Sequence, residues 1–157
     1  MSHHHATPPS LTRHCDVAVI GGSAAGLAGA LLLVRQRRSV IVVDDGSPRN
    51  APAAHMHGYL GREGAAPAEL QAVGRDEVRA YGGEVLDGRV LSVQREKTGF
   101  RVELSGGHAL IARRVLVATG LVDELPPSTA CASAGVVRSS TARSAMAGRC
   151  ATSGSCR

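Results

Sequence analysis

The feature that most constrains the fold of this chain is a glycine-rich turn between an apolar run and a helix-compatible segment. The apolar run, residues 17–20, is typical of a buried parallel strand. The turn, residues 21–26, reads Gly-Gly-Ser-Ala-Ala-Gly and leads into a predicted helix over residues 24–37. A second apolar strand, residues 40–43, ends at Asp44. This order of strand, glycine turn, helix, strand and acid is that of a dinucleotide-binding βαβ unit.

The residue types in the turn suit a bound pyrophosphate. Gly21 permits the tight turn that leaves the strand, and Gly26 lets the helix pack close to the sheet. The small residues Gly22, Ala24 and Ala25 let the backbone approach phosphate groups. The N-terminus of the helix presents unpaired N–H groups and a partial positive charge to them.

Two further positions bear on which nucleotide such a unit would bind. Asp44 follows Gly26 by 18 positions, close to the spacing at which an acid binds the adenosine ribose, and it favours FAD or NAD over NADP. Ser23 stands where the Gly-x-Gly-x-x-Gly pattern has its second glycine, and its Cβ predicts a narrower approach, a restricted φ and reduced affinity. The alternative is a strand-to-helix turn without a ligand. The flanking strands, helix and acid favour nucleotide binding.

Composition bounds the class of protein. The 157 residues suit one domain, and the absence of a long apolar run or signal-peptide pattern predicts a cytoplasmic protein without membrane contact. Residues 1–127 hold 14 basic and 13 acidic residues, so the net charge of +5 belongs mostly to the remainder. With no basic face interleaved with aromatic residues, nucleic-acid binding is not expected. The four cysteines form no CxxC pair or zinc spacing, which favours free thiols and no metal site.

The rest of the chain reads as one α/β unit with flanking segments. Residues 1–14 are predicted to be a disordered lead, and residues 46–66 a long loop that wraps a cofactor. Within that loop, His55 and His57 are an alternative metal pair without an evident third ligand. A helix is predicted over residues 67–81. Short strands follow, listed by residue number: 84–86, 89–95, 100–104, 109–111 and 114–118. The second to fourth of these suggest an antiparallel meander, and the fifth returns to the parallel sheet.

Several of these pieces together resemble a known family. Residues 15–127 resemble the N-terminal FAD-binding segment of thioredoxin-reductase-like flavoproteins, among the FAD/NAD(P)-dependent pyridine nucleotide-disulfide oxidoreductases. The pieces that carry the resemblance are the glycine turn, Val42-Val43-Asp44, Arg49-Asn50, His55-Met56-His57-Gly58, Tyr81-Gly82-Gly83 and Ala118-Thr119-Gly120. The resemblance and the strand pattern together predict an α/β fold in which a Rossmann-like FAD-binding βαβ unit with a parallel sheet is joined to a small antiparallel β-meander. The disordered C-terminal tail is predicted separately, from its composition.

The resemblance implies FAD as the cofactor. It implies the following cofactor-binding residues: Gly21, Gly22, Ser23, Ala24, Ala25, Gly26, Asp44, Asp45, Asn50, His55, Thr119 and Gly120. Family members pass electrons from NAD(P)H through FAD to a disulfide, commonly as homodimers. This chain has no CxxC pair and no second glycine fingerprint after residue 120, so no catalytic residue and no nicotinamide site is assigned to it.

The composition changes abruptly after Pro127. Residues 128–157 contain no Leu, Ile, aromatic or acidic residue, which predicts an unstructured tail. One interpretation is a genuine low-complexity tail, and the other, which we favour, is the hypothesis that a frameshift produced this segment. With suitable synonymous codons, the frame one base earlier reads His-Cys-Pro-Phe-Cys-His across residues 141–146, a pattern that resembles the redox motif of the same family. We expect the intact relative to be an FAD-dependent oxidoreductase. The alternatives are a non-catalytic, truncated nucleotide-binding fragment and an NAD-binding dehydrogenase, which fits the downstream meander less well.

Overall fold

A computed structural model of the protein describes residues 11–122, which form two α-helices, a short 3₁₀ turn (Ser105–Gly107) and a six-stranded sheet. In chain order the elements are β1 (Thr12–Ile20), α1 (Ala24–Arg35), β2 (Val40–Asp44), α2 (Pro67–Ala80), β3 (Glu84–Asp87), β4 (Val90–Glu96), β5 (Gly99–Leu104) and β6 (Ala109–Val117). The predicted α/β class is confirmed. The tail predicted over residues 128–157 and most of the predicted lead lie outside the described residues.

The parallel strands and the meander are parts of one mixed sheet, in the order β3-β2-β1-β6-β5-β4. Strands β3, β2, β1 and β6 are mutually parallel, while β5 runs antiparallel to both β6 and β4. Strand β6 therefore joins the βαβ unit to the meander, because it pairs with β1 along one edge and with β5 along the other.

The prediction of two separate strands over residues 109–111 and 114–118 is wrong. Strand β6 continues through Ala112 and Arg113. The exposed residues Arg113 and Arg114 interrupt the apolar pattern, but the backbone ladder to β1 runs on both sides of them. This is possible because β1 begins at Thr12, opposite Ala109, so that residues 12–14 are strand rather than disordered lead.

Each α-helix is followed, two residues after its end, by a residue in the left-handed conformation. In α1 the chain reverses at Arg37, with a φ of 59°, and the Arg38 N–H donates to the Leu33 carbonyl at 3.2 Å. This turn ends α1 at Arg35, two residues earlier than predicted. In α2 the left-handed residue is Gly82, and the following N–H of Gly83 donates to the Val78 carbonyl at 3.0 Å.

Apolar side chains pack on both faces of the sheet. The helices cover one face, where their buried residues meet those of β1 and β2 in a cluster of Val17, Val19, Leu27, Ala30, Val34, Val40, Val42 and Val78. On the other face, buried side chains of β1, β2, β5 and β6 form a second cluster of Cys15, Ala18, Ile41, Val43, Val102, Leu104, Leu110 and Ala112. Each fully buried Val or Leu contributes about 1.5–3 kcal/mol, so this packing fixes the strand ends that form the site below.

Cys15 is a buried free thiol in the second cluster. Burial, followed by the negative charge of Asp16, raises the pKa of the Cys15 thiol to about 11. The thiol therefore stays protonated at neutral pH and is a packing residue. The other three cysteines lie outside the described residues.

Among the described residues, no helix is both long enough and apolar enough to cross a membrane.

Asp16 ties β1 to the turn before β2. Its carboxylate accepts the Ser39 N–H at 3.0 Å and the Ser39 hydroxyl at 3.1 Å, and it lies 3.4 Å from the Arg113 guanidinium. These hydrogen bonds from Ser39, with a smaller contribution from Arg113, hold the pKa of Asp16 below its ordinary value. A carboxylate with a lowered pKa stabilises the fold above its unfolded-state pKa and loses that effect as pH falls through its folded-state pKa.

We therefore expect Asp16→Asn to lower the urea midpoint at neutral pH and to have progressively less effect as the solution is acidified. Urea unfolding of both proteins at a series of pH values below neutrality measures this. Asp76→Asn, at an exposed position of α2, is the matched control. A difference between Asp16→Asn and the wild-type chain that persists unchanged at low pH would contradict the assignment.

Candidate nucleotide-binding site

A groove of about 280 Å³ lies at the carboxyl ends of β1, β2 and β6. Strands β2 and β6 flank β1 on opposite sides, so the groove opens where the strand order reverses. In open α/β sheets this is the place where ligands bind. Six of the predicted cofactor-binding residues line it: Gly21, Gly22, Ser23, Asp44, Asp45 and Thr119.

Three glycines shape the turn because none of their positions has room for a side chain. A Cβ on Gly21 would lie 2.3 Å from the Ala118 carbonyl oxygen, and one on Gly22 would lie 2.6 Å from the Asp44 Cβ. A Cβ on Gly26 would lie 1.9 Å from the Gly21 carbonyl oxygen. Gly26 does not line the groove, but its close contact with Gly21 holds the helix against the turn.

The N-terminus of α1 leaves backbone donors beside the groove. The first intrahelical hydrogen bond joins the Leu27 N–H to the Ser23 carbonyl at 2.9 Å. The N–H groups of Ala24, Ala25 and Gly26 precede it and have no intrahelical acceptor. Together with the helix dipole they form a site suited to an anion, as a pyrophosphate is.

Ser23 fits this turn without backbone strain. It is the N-cap residue of α1, with a φ of −94° and a ψ of −171°, an extended conformation open to any L-residue. The predicted conflict between serine and the φ of this position is therefore absent. Ser23 makes no side-chain cap hydrogen bond and is only half-buried.

Asp44 is held between the glycine turn and helix α2. Its side chain is 11% exposed, and its Oδ1 accepts the Gly22 N–H at 3.2 Å. Its Oδ2 accepts a hydrogen bond from the Arg75 guanidinium. Since Asp44 also lines the groove, its unoccupied lone pairs are available to hydroxyl donors of a ligand.

Arg75 is a residue that pattern reasoning from the sequence missed. It lies on α2, and its second guanidinium nitrogen lies 3.0 Å from Oδ1 of Asp87. Gln71, one helical turn earlier, lines the groove. The sequence signal that could have identified Arg75 was its i, i+4 spacing from Gln71 on the helix that packs beside Asp44. Without the tertiary arrangement this spacing resembles any solvated helix face.

The turn between β3 and β4 closes the groove on another side. Gly88 and Arg89 line it, and the Gly88 N–H donates to the Asp44 carbonyl at 2.8 Å. The glycine predicted this turn, but no local pattern predicted its approach to β2. On the β6 side, Ala118 and Thr119 line the groove, whereas Gly120 is exposed outside the lining.

Asn50 and His55, predicted to lie near a flavin, do not line the groove. The loop around His55 is organised by its own contacts. His55 Nδ1 lies 3.0 Å from the Gly64 carbonyl oxygen, and His57 Nδ1 lies 2.7 Å from Glu63 Oε1. The hydrogen bond from His57, then that from the Gly58 N–H, lowers the pKa of Glu63. Within residues 11–122 no cluster of three or more metal-ligating side chains exists.

Comparisons with known proteins point to one family. No family model matches the chain. The thioredoxin reductase tcpT of Claviceps purpurea is 36% identical over 112 residues, covering 69% of this chain and 35% of the relative. The thioredoxin reductase sirT of Leptosphaeria maculans is 35% identical over 125 residues, covering 77% of this chain and 37% of the relative. The chain thus spans about one third of the length of these curated relatives.

Solved structures give the same result at the level of the fold. The crystal structure of HlmI matches with a TM-score of 0.71 and 52% identity, covering 76% of this chain and 39% of that chain. An oxidoreductase from Agrobacterium tumefaciens matches with a TM-score of 0.69 and 42% identity, covering 73% and 39%. The predicted resemblance is confirmed, and the chain is a partial homologue of the thioredoxin-reductase-like oxidoreductases.

Proposed function

We propose that this chain binds FAD in the groove and represents the FAD-binding portion of a thioredoxin-reductase-like oxidoreductase. The observation that carries the proposal is the glycine turn. Its three side-chain-free positions set the free N–H groups of α1 beside the groove. Helix N-termini at such turns bind the pyrophosphate of dinucleotides.

The residues of the groove suit the parts of FAD. The turn, residues 21–26, would hold the pyrophosphate, and Asp44 would accept hydrogen bonds from the adenosine ribose. Thr119 and Gly120 follow β6, on the other side of β1 from Asp44, where the resemblance predicts the cofactor to pass. Asn50 and His55 stay predicted flavin-side residues, which requires their loop to approach a bound cofactor.

When bound, FAD supplies the redox chemistry, and this chain's residues bind and orient it. In longer relatives we expect electrons to pass from NAD(P)H through FAD to a disulfide. This chain has no CxxC pair and no second glycine fingerprint, so we assign it cofactor binding without a catalytic residue. A cytoplasmic location of this chain and a homodimeric state of its intact relatives stay predictions.

Flavin binding by the purified full chain tests the proposal. We expect the apo chain to bind FAD, with quenching of flavin fluorescence and a raised melting temperature. FMN, which lacks the adenosine monophosphate half of FAD, and NAD are the controls, and each should bind more weakly than FAD. The proposal fails if FAD changes neither the fluorescence nor the melting temperature. Preference for NAD over FAD would instead favour a dehydrogenase-type nucleotide site.

A further inference from the structure

Two acidic residues end neighbouring parallel strands at the same level. Asp44 is the last residue of β2, Asp87 is the last residue of β3, and the two are paired in the strand register. Like charges in adjacent register positions repel each other. Only Asp87 is well solvated, with a side chain that is 83% exposed against 11% for Asp44.

Arg75 lies between these two carboxylates and contacts both. One guanidinium nitrogen bonds to Asp44 Oδ2, and the other lies 3.0 Å from Asp87 Oδ1. The Arg75 side chain is 21% exposed, so this pairing is only partly screened by solvent. The fork of the guanidinium suits such a bridge in a way that a lysine ammonium does not.

The orientation of the Asp44 carboxylate is therefore set from two sides. The Gly22 N–H holds Oδ1 at 3.2 Å, and Arg75 holds Oδ2. The contacts are divided between the two oxygens, which leaves each oxygen a lone pair for further hydrogen bonds. The charge of Arg75 is committed to two carboxylates, so this end of the groove offers no uncommitted cation from α2 to a phosphate.

We infer that Arg75 is a positioning residue that fixes Asp44 for a ribose with free hydroxyl groups and thereby sets the nucleotide specificity of this end of the groove. The inference rests on the proposed function, since it places the adenosine ribose at Asp44. It adds a specificity consequence. Removing the charge of Asp44 frees much of the Arg75 charge, which would then attract a 2′-phosphate.

The first measurement is FAD affinity in the full chain. We expect Arg75→Met to weaken FAD binding by about tenfold, the size of effect that loss of one charged hydrogen bond produces. Arg75→Lys should restore part of the loss because it keeps the charge. Arg79→Met is the matched control, since Arg79 lies one turn further along α2 and pairs only with Asp76 at 3.5 Å among the described residues. It should bind FAD as the wild-type chain does.

The second measurement separates positioning from a merely structural role. Adenosine 5′-phosphate and adenosine 2′,5′-bisphosphate differ only in the 2′-phosphate, and calorimetric titration measures both. The wild-type chain should prefer the first ligand, Asp44→Asn should shift the preference toward the second, and Asp44→Asn combined with Arg75→Met should abolish that shift. A general loss of stability would weaken the binding of both ligands alike and leave the ratio of their dissociation constants unchanged.

The outcomes separate this inference from the proposed function. FAD binding by the wild-type chain, weakened by Arg75→Met and accompanied by the shift in ligand preference, supports both. FAD binding that Arg75→Met leaves unchanged, or a ligand ratio that no variant moves, overturns the positioning role and leaves the proposed function standing. A wild-type chain that binds neither FAD nor adenosine 5′-phosphate overturns both.

Discussion

Gly26→Val should abolish FAD binding and lower the free energy of unfolding by about 3 kcal/mol. The reason is steric. Even the first side-chain atom at this position would lie 1.9 Å from the Gly21 carbonyl oxygen and 3.3 Å from a Val19 methyl group. Because the Gly21 oxygen belongs to the backbone, no change of side-chain rotamer can relieve this steric clash. Helix α1 would have to move away from the turn, and its free N–H groups would leave the groove.

Ala28→Val is the matched control for this prediction. It adds a valine to the same helix at an exposed position, so it shares the lower helix propensity without the steric conflict. Urea unfolding and FAD titration of both variants measure the two effects. If Gly26→Val unfolds at the same urea midpoint as Ala28→Val, the inference that α1 packs too closely against the turn to admit a side chain at residue 26 is contradicted.

Local steric rules explain why the βαβ unit could be predicted from the sequence. Its conformation depends mainly on residues close together in the chain, namely the strand before the turn, the three glycines and the acid at the end of β2. The loop over residues 46–66 was also predictable, because its apolar residues show neither the spacing of a helix nor the alternation of a strand. The same reasoning failed at β6, because the polarity of Arg113 and Arg114 conceals a backbone ladder that depends on a strand about 100 residues earlier.

The lining of the candidate groove could be predicted from local sequence patterns only where its residues lie close together in the chain. Residues 21–23, Asp44 and Asp45 lie within one supersecondary unit, and Thr119 was identified from the family resemblance. Arg75 could not be predicted, because its contact with Asp44 spans 31 positions and depends on how α2 packs beside β2. The hydrogen bonds that organise the loop around His55 likewise depend on side chains, such as Glu63, that no motif singled out.

Asp44→Ala should lower the free energy of unfolding by about 2–3 kcal/mol even without cofactor. The substitution leaves the Arg75 guanidinium, 21% exposed, with Asp87 as its remaining partner among the described residues, and it removes the acceptor of the Gly22 N–H. When a partly buried cation loses its more buried partner, most of the free-energy cost of its desolvation is no longer offset by an ion pair. Urea unfolding of the apo chain measures the loss.

Asp76→Ala is the control for that loss, because it removes an exposed carboxylate whose ionic partner within residues 11–122 is Arg79, one turn away on the same helix, at 3.5 Å. Such surface pairs contribute at most about 0.5 kcal/mol, so this variant should unfold close to the wild-type midpoint. Removing both charges by Asp44→Ala with Arg75→Met should cost less than the sum of the single changes, since no unpaired cation is left behind. Strict additivity would show that Asp44 and Arg75 do not interact, and the contacts of Arg75 with the ends of β2 and β3 would then contribute nothing to stability through Asp44.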